Sequence, residues 1–389
     1  MSTESLLSQK QSWLEVDLNA LRQNVYVIRS LLERDCDMIA VVKSDAYGLG
    51  AVRIAKTLQN SGLTHLAVGT FEEAIELRRA RVLCGIMILG SADLNDANLS
   101  EMVRLVIQPT ICTVDDIKRI EMFKSKRPNL ELKIHLKIDT GFSRLGIAWH
   151  DCGTYIRRLF AIRGVRILTI FTHLASPDIH ASTFAMRQFQ RFTQIKTFVP
   201  KYQIPPKFHI ANSAAMLLHK SLHLDQVRVG LALFGASPFE DRELDNGIKQ
   251  ALKLAARIID IKEIKAGETI GYGEYYISRK DLRIAILKVG YSSGIPRQAS
   301  GKIKAIVRGE YAMQIGVVTM EYLMLDISNI PYAKVGDLAV LIGEHEGKRI
   351  SLWDLAKASS TIPWDIACSV GSRMHKHYTN ELDDCSGNN

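Results

Sequence analysis

The sequence predicts an α/β protein in which an N-terminal (β/α)8 barrel is followed by a mainly antiparallel β domain. Two observations support this fold class. Between about residues 37 and 235, short apolar runs alternate with segments of helical periodicity, which is typical of right-handed βαβ units and a parallel sheet. After Pro238 the helical periodicity is largely lost, and short strand-like runs separated by turn residues replace it.

The length of the repeating region favours a closed barrel. About eight strand–helix units in roughly 240 residues match a TIM-type barrel, and a doubly wound open sheet is the alternative. A first helix is predicted over residues 18–32, with Asp17 as its N-cap. The runs that we interpret as barrel strands are 38–42, 65–68, 86–89, 105–107, 132–136, 167–171 and 208–210.

A polar, acid-rich stretch over residues 239–247 marks the predicted domain boundary. Residues 1–240 are predicted to form the barrel, residues 241–380 the β domain, and residues 381–389 a disordered polar tail. The strand-like runs of the second domain are 257–264, 284–289, 303–308, 314–327 and 338–342.

The charge of the chain excludes some functions. Its 50 Lys and Arg residues outnumber its 41 Asp and Glu residues, but these positive charges are spread out. This distribution argues against nucleic acid as a partner and favours a site for a small anion such as phosphate or carboxylate. The N-terminus is polar, and no apolar run approaches the about 18 residues needed to span a bilayer. The six cysteines form no CxxC pair. We therefore expect a cytoplasmic protein without a membrane partner.

Lys43 is the first candidate for chemistry, because it ends the apolar run of residues 40–42. In parallel barrels the C-terminal ends of the strands face the active site. Burial there lowers the pKa of an amine and makes it a nucleophile or base, able to form a Schiff base with an aldehyde cofactor. Taken alone, the position also suits a surface lysine at a strand end.

The segment around Lys43, AVVKSDAYG at residues 40–48, resembles the cofactor-lysine motif of the alanine racemases, which are pyridoxal-phosphate enzymes of fold type III. Seven further matches follow in the family's order. They are KIDTG at 137–141 with SRLG at 143–146, THLA at 172–175, ANSAA at 211–215, RVGLALFG at 228–235, GYG at 271–273, VGY at 289–291 with Gly294, and TIP at 361–363 with Cys368. The resemblance implies interconversion of L- and D-alanine with pyridoxal 5'-phosphate, in a homodimer that supplies D-alanine for peptidoglycan.

The resemblance also implies a two-base mechanism. Lys43 would bind the cofactor and serve one face of the substrate Cα carbon, while Tyr272 from the partner subunit would serve the other face. Active sites would then be shared between the two chains. Because a phenol has a free pKa of about 10, it needs cationic neighbours to act as a base. Without the family context, Tyr272 is equally compatible with a half-exposed turn.

Arg228 corresponds to the residue that faces the pyridine nitrogen of the cofactor. Arginine does not give up its proton, so the ring nitrogen should stay unprotonated and return of the proton to Cα should be favoured over transamination. His173 resembles the histidine that links Arg228 to the tyrosine. An ordinary ion pair for Arg228 and a structural role for His173 are the alternatives.

The remaining expected contacts concern the phosphate and the substrate. A helix N-terminus and close glycine amides attract anions, although Asn212 and Ser213 also suit a plain N-cap. Arg144 is expected near the cofactor phenolate oxygen and the substrate carboxylate, and Lys137 corresponds to a lysine that is often carbamylated in the family. The residues expected at the phosphate are Tyr47, Asn212, Ser213, Gly230 and Leu231.

Two positions depart from the family's pattern. Tyr291 and Met320 match partner-chain residues at the substrate entrance and pocket floor, but Glu321, the next residue, replaces the usual aspartate. Trp364 replaces a tyrosine that contacts the phosphate, and an indole can only donate a hydrogen bond. These changes leave open a broader racemase, for example for serine.

Functions of other classes fit the sequence less well. An inactive pyridoxal-phosphate binder of the same fold is one alternative, although Tyr272 on the β domain favours catalysis. A pyridoxal decarboxylase is disfavoured by Arg228. Residues 290–294 spell the G-x-S-x-G motif of serine hydrolases, which requires a strand before it and a helix after it. No HExxH or paired-cysteine spacing predicts a metal site.

Overall fold

The computed structural model of the chain describes residues 10–176, 183–201, 205–244 and 246–381. Strands and helices alternate in the first part of the chain, and strands dominate the second. The strands are β1 (Ser12–Asp17), β2 (Asp37–Val41), β3 (His65–Val68), β4 (Gly85–Ile88), β5 (Ile107–Gln108), β6 (Thr110–Ile111), β7 (Leu132–Asp139), β8 (Ile147–Ala148), β9 (Val165–Phe171), β10 (Lys207–His209), β11 (Gln226–Val229), β12 (Leu252–Ile264), β13 (Leu282–Leu287), β14 (Lys304–Val307), β15 (Glu310–Ile315), β16 (Leu323–Asp326), β17 (Leu338–His345), β18 (Lys348–Ile350) and β19 (Lys376–Thr379).

The helices lie mostly between the strands of the first part. The α-helical segments are α1 (Leu18–Leu31), α2 (Lys43–Tyr47), α3 (Ala51–Asn60), α4 (Phe71–Arg79), α5 (Asp96–Arg104), α6 (Val114–Lys126), α7 (Cys152–Ala161), α8 (Thr183–Ile195), α9 (Ser213–Leu218), α10 (Leu352–Ala358) and α11 (Pro363–Arg373). Short 3-10 turns are Lys196–Phe198, Lys220–Leu222, Leu231–Phe234, Tyr272–Glu274, Tyr291–Ser293 and Arg297–Ala299. The predicted N-cap of α1 is confirmed, because the Asp17 carboxylate accepts hydrogen bonds from the N–H groups of Asn19 and Ala20.

The predicted barrel is confirmed. β5 and β6 are separated only by Pro109, which lacks the N–H that a continuous ladder needs. If they are counted as one interrupted strand, the parallel order in the described residues is β2, β3, β4, β5/β6, β7, β9, β10, β11. β11 pairs with β2, with Arg228 opposite Ile39, so the ring closes and the open-sheet alternative is excluded.

The second sheet is antiparallel, as predicted, and it also closes. Its order is β12, β13, β16, β15, β14 and β17, and β17 pairs back onto β12. The single predicted run at 314–327 is in fact the end of β15, a turn and β16. The strand β1 was not predicted, and it pairs with β12 and β19 of this second sheet. The domain limits given above stay predictions, and residues 382–389 of the predicted tail lie outside the described residues.

The helix α11 of the second domain packs against the turn that follows Lys43, although the loss of helical periodicity predicted no helix there. Gly48 and Gly371 touch through their backbones, and a Cβ on Gly371 would lie 2.4 Å from the Gly48 carbonyl oxygen. On another side of α11, a Cβ on Gly294 would lie 2.5 Å from the Ser369 carbonyl oxygen. The helix is therefore seated between both domains with no room for added atoms.

We expect Gly371→Ala to destabilise the protein, because its methyl group would collide with backbone that cannot rotate away. Overpacking of this kind costs about 1–3 kcal/mol. Thermal unfolding should show a lower melting temperature, and any activity that depends on Lys43 should fall as the turn after it shifts. Ser372→Ala, at the next and exposed position of α11, is the matched control and should leave both unchanged. An unaltered melting temperature for Gly371→Ala would contradict the close backbone contact.

Candidate active site

The residues after Lys43 form one turn of left-handed helix. Ser44, Asp45, Ala46 and Tyr47 have φ between 53° and 58°, although none is a glycine. For L-residues this conformation costs about 1–2 kcal/mol per residue, and such strain concentrates at functional sites. Neighbouring groups hold the turn, since the Glu73 carboxylate accepts from the Ser44 N–H at 2.5 Å and the Asp45 carboxylate accepts from the N–H of residue 51 at 2.7 Å.

This turn sets the Lys43 amine at the mouth of the barrel, directly after β2. The side chain keeps surface exposed to solvent, but its amine is partly desolvated. This desolvation lowers the pKa of Lys43 from its ordinary value, and the positive charge of Arg144 lowers it further. Cys368 and Glu73 act in the opposite direction. A lowered pKa favours a nucleophilic or basic amine, and the role expected for Lys43 stays a prediction.

The cationic groups of the site converge on His173, two residues after the end of β9. Burial lowers the pKa of His173 well below its usual value. The charges of Arg228, Arg144, Lys137 and Lys43 contribute in the same direction, in that order. Since all four act on one imidazole, the barrel brings them together at the C-terminal ends of its strands, where such barrels carry active sites.

Arg228 lies in β11 with only 4% of its surface exposed. Its guanidinium donates to the carbonyl oxygens of Thr172 at 2.8 Å and Ile210 at 3.2 Å, and to the Nδ1 atoms of His209 at 2.7 Å and His173 at 3.3 Å. Burial lowers the pKa of Arg228 to about 9. Among the described residues no carboxylate pairs with it, so the ion-pair alternative is not supported for Arg228.

A small polar cradle lies where β10 and β11 end. The Ser213 hydroxyl accepts from the Gly230 N–H at 3.2 Å and from the Ala232 N–H at 3.4 Å. A Cβ on Gly230 would lie 2.2 Å from the Tyr47 hydroxyl oxygen, so only glycine fits there. Burial raises the pKa of Tyr47, and this keeps the phenol protonated as a donor. Backbone amides, a serine hydroxyl and a phenol are the groups that hold a phosphate, and these residues fit the phosphate end of pyridoxal phosphate.

The neighbouring residues of the cradle have different roles. The Asn212 side chain caps α9 by accepting from the N–H of Ala215 at 3.1 Å. Asn212 therefore has the helix N-cap role that the sequence predicts as its alternative. Leu231 is buried and begins the 3-10 turn after Gly230, which places its backbone beside the cradle. Its contribution there would come from the main chain.

We expect Gly230→Ala to weaken cofactor binding strongly, because the added methyl group would occupy the space beside the Tyr47 hydroxyl. The strain should also lower the free energy of unfolding by about 1–3 kcal/mol. Titration with pyridoxal phosphate, followed by absorbance, gives the dissociation constant. The double variant Gly230→Ala/Tyr47→Phe removes the colliding oxygen and should recover the stability but not the affinity. Wild-type affinity in Gly230→Ala would contradict the cradle.

Arg144 and Lys137 lie on the same side of the barrel mouth. The exposed Arg144 guanidinium carbon lies 4.2 Å from the centroid of the Phe142 ring. Lys137 is buried in β7, with its amine 5.7 Å from the centroid of the Phe171 ring. Burial lowers the pKa of Lys137, and the charges of Arg144 and Arg228 lower it further, whereas Cys112 raises it. At a given pH, the neutral fraction of Lys137 is therefore larger than that of an ordinary lysine.

Trp364 lies half-buried in the first turn of α11, packed against the main core. Cys368, one turn further along the helix, is close enough to Lys43 to affect the pKa of its amine. The second domain thus contributes one wall of the Lys43 site within a single chain.

Four predicted site residues lie elsewhere in the chain, exposed on turns of the second domain. Tyr272 is 71% exposed and Met320 is 56% exposed, and Tyr291 and Glu321 are exposed as well. The turn that carries Tyr291 contacts α11, the helix of Trp364 and Cys368. The roles expected for these four residues at the substrate stay predictions.

The G-x-S-x-G motif has a structural role. Ser292 lies in a 3-10 turn, and its hydroxyl donates to the Met320 carbonyl oxygen at 2.7 Å. The strand–turn–helix context that exposes a nucleophilic serine is missing from this described segment, so the serine-hydrolase alternative is not supported.

No group of three or more His, Cys, Asp or Glu side chains in the described residues is arranged to hold a metal ion. Within the same residues, no helix is both long and apolar enough to cross a membrane.

Sequence reasoning missed a set of polar residues behind Arg228, inside the barrel. They are Gln108, His135, Thr169 and His209. The available signal was a histidine flanked by apolar residues in the strand runs 132–136 and 208–210, because a parallel strand buried on both faces normally carries apolar residues.

Comparison with known proteins covers nearly the whole chain. A family model described as alanine racemase, N-terminal domain, matches residues 16–238, and one described as alanine racemase, C-terminal domain, matches residues 251–378. The alanine racemase of Nostoc sp. (strain PCC 7120) is 34% identical over 374 residues, which cover 94% of this chain and 95% of that protein.

Solved structures agree with this result. The alanine racemase from D-cycloserine-producing Streptomyces lavendulae is 30% identical, with a TM-score of 0.87 over 96% of this chain and 98% of that chain. The alanine racemase from Bacillus anthracis with bound L-Ala-P is 26% identical, with a TM-score of 0.84 over 95% of each chain.

Proposed function

The chain belongs to the alanine racemase family and is an amino-acid racemase, and we propose that it interconverts L- and D-alanine with pyridoxal 5'-phosphate as its cofactor. The observation that carries this proposal is the buried Arg228 guanidinium, which has no carboxylate partner in the described chain. A donor-only group facing the pyridine nitrogen cannot protonate it readily, and this favours return of a proton to Cα. The relatives are named for the same reaction.

The residues of the barrel mouth would hold the cofactor. Lys43 would bind it covalently through Nζ, Arg228 would face its ring nitrogen, and its phosphate would lie in the cradle formed by Tyr47, Ser213 and Gly230, with the Leu231 amide and the Asn212-capped α9 beside it. When bound, pyridoxal phosphate supplies an electron-withdrawing ring that acidifies the Cα–H bond of the amino acid.

Two groups of the protein would move the proton. The Lys43 amine, whose pKa is lowered by burial, would remove or return the proton on one face of Cα. The hydroxyl of Tyr272 of the partner subunit would do so on the other face. Because Tyr272 is exposed within its own chain, we propose a homodimer in which each site takes its tyrosine from the partner.

His173 would make the tyrosine a better base. Its Nδ1 atom lies 3.3 Å from the Arg228 guanidinium, which can only donate, so Nδ1 accepts and the proton of the neutral ring is on Nε2. That N–H can donate to the phenolate oxygen of Tyr272 of the partner subunit. A hydrogen bond to the charged form, together with the nearby cations, lowers the pKa of a phenol.

The substrate carboxylate would pair with Arg144, whose guanidinium fork suits a carboxylate. We propose that Lys137 is carbamylated and orients Arg144, since an amine with a lowered pKa reacts with carbon dioxide in its neutral form. Tyr291, Met320 and Glu321 of the second domain would line the entrance from the partner side. The family's tyrosine contacts the phosphate through its hydroxyl at this position, and Trp364 would contribute ring packing there instead.

A racemisation assay over a panel of L-amino acids, with and without added pyridoxal phosphate, tests this function. Alanine is expected to give the highest kcat/KM, with activity that depends on the cofactor. A higher value for serine would support a broader racemase, and cofactor binding without exchange of the Cα proton for solvent deuterium would support an inactive binder. We also propose that the D-alanine produced serves peptidoglycan synthesis, as the family relationship suggests.

A further inference from the structure

A line of buried polar side chains extends from Arg228 across the barrel interior. The participating residues lie on five successive positions around the ring, namely Arg228 on β11, His209 on β10, Thr169 on β9, His135 on β7 and Gln108 on β5. None is more than 7% exposed. The links run from Arg228 Nη1 to His209 Nδ1 at 2.7 Å, His209 Nε2 to Thr169 Oγ1 at 2.8 Å, Thr169 Oγ1 to His135 Nδ1 at 2.7 Å and His135 Nε2 to Gln108 Oε1 at 3.0 Å.

The two ends of the line fix the direction of its hydrogen bonds. Arg228 can only donate, so His209 accepts through Nδ1 and carries its proton on Nε2, which faces the Thr169 hydroxyl. The Gln108 carbonyl oxygen can only accept, so His135 carries its proton on Nε2 and accepts through Nδ1. The Thr169 hydroxyl therefore accepts from His209 and donates its single hydrogen to His135.

The surroundings keep both imidazoles in these forms. Burial lowers the pKa of His135 to about 3 and that of His209 well below its usual value, so both rings are neutral near pH 7. The His209 ring is also stacked on Phe171, with centroids 4.9 Å apart and planes 5° from parallel. A neutral ring in a fixed plane has one remaining freedom, which is the choice of the nitrogen that carries the proton.

We propose that His209, Thr169, His135 and Gln108 are a positioning relay that fixes the tautomer of His209 and thereby holds the Arg228 guanidinium toward the pyridine ring of the cofactor. The cofactor part of this inference rests on the proposed function, whereas the relay itself does not. If the line were reversed, an N–H on His209 Nδ1 would face an N–H of Arg228, and the guanidinium would have to move. Each of the four acts through Arg228 and is a positioning residue.

Thr169 is the best position for a test, because its hydroxyl joins the two imidazoles. Thr169→Val keeps the shape of the side chain and removes the hydroxyl, whereas Thr169→Ser keeps the hydroxyl. We expect Thr169→Val to raise the dissociation constant of pyridoxal phosphate and to lower kcat by about tenfold each, the effect of losing one buried hydrogen bond. Thr169→Ser should restore both to within about twofold.

The decisive readout is the histidine tautomers, which nitrogen-15 NMR reports on histidine-labelled protein without added cofactor. Signals of residues 135 and 209 are assigned by their loss in His135→Gln and His209→Gln. The relay requires the Nε2–H form of both rings in the wild type at pH 7, and a mixture of forms at His209 in Thr169→Val.

An Nδ1–H or charged ring at either position in the wild type would overturn the relay, and so would an unchanged His209 tautomer in folded Thr169→Val. If Thr169→Val does not fold, the wild-type tautomers decide the matter alone. Correct tautomers in a chain that racemises no amino acid would count against the proposed function but not against the relay.

Discussion

Lys43→Ala should abolish racemisation, with a loss of more than about 10⁴-fold in kcat, because the same amine is expected both to hold the cofactor and to move the proton on one face of Cα. Borohydride treatment followed by intact-mass measurement should show pyridoxal attached to the wild type and none attached to the variant. Peptide mapping should place the attachment within residues 40–48.

Lys56→Ala is the matched control, since Lys56 is an exposed lysine on the neighbouring helix α3 and shows no contact with the site. It should keep wild-type turnover and the attached pyridoxal. Attachment of pyridoxal to a different lysine in the wild type, or substantial turnover in Lys43→Ala, would contradict the assignment of Lys43.

Tyr272→Phe should lower racemisation by about 10²–10⁴-fold, the range typical of a lost general acid or base. In this variant Lys43 can still remove and return the proton on its own face of the substrate Cα carbon. One alanine enantiomer should therefore still exchange its Cα hydrogen for solvent deuterium while racemisation is lost. Tyr275→Phe is the control, because Tyr275 is a similarly exposed tyrosine three positions away and should behave as the wild type. Exchange and racemisation rates at wild-type levels in Tyr272→Phe would exclude it as the second base.

Mixing the two inactive variants tests whether the site is shared. In a heterodimer of Lys43→Ala and Tyr272→Phe chains, one shared site carries both substitutions and the other carries neither. Random reassortment of equal amounts makes half of the dimers heterodimers, so activity should return to about a quarter of the wild-type level. If Tyr272 acted within its own chain, every site would carry one substitution and the mixture would stay inactive.

Much of the site could be predicted from short segments of sequence. Lys43, Arg228 and Ser213 follow or end barrel strands, and their chemistry depends on residue type and on position along the strand, both of which a sequence displays. The barrel was predictable for a similar reason, because strand–helix alternation is a local pattern repeated many times.

The features that were missed depend on contacts between distant segments. The left-handed turn after Lys43 contains no glycine, so no local signal predicts its positive φ values; Glu73, 29 positions beyond Ser44, helps to hold it. The strand β1 pairs with β12 and β19, from the far end of the chain. The relay partners of Arg228 come from four other strands, and no residue spacing along the chain encodes that order.

The seating of α11 between Gly48 and Gly294 has a consequence for how this enzyme can be divided or recombined. The turn that follows Lys43 packs against a helix that the chain makes more than 300 residues later. An isolated barrel would lack that support, and a hybrid with a foreign second domain would need a helix that approaches equally closely. We therefore expect this chemistry to require both domains of one chain, although each of the two sheets closes on itself.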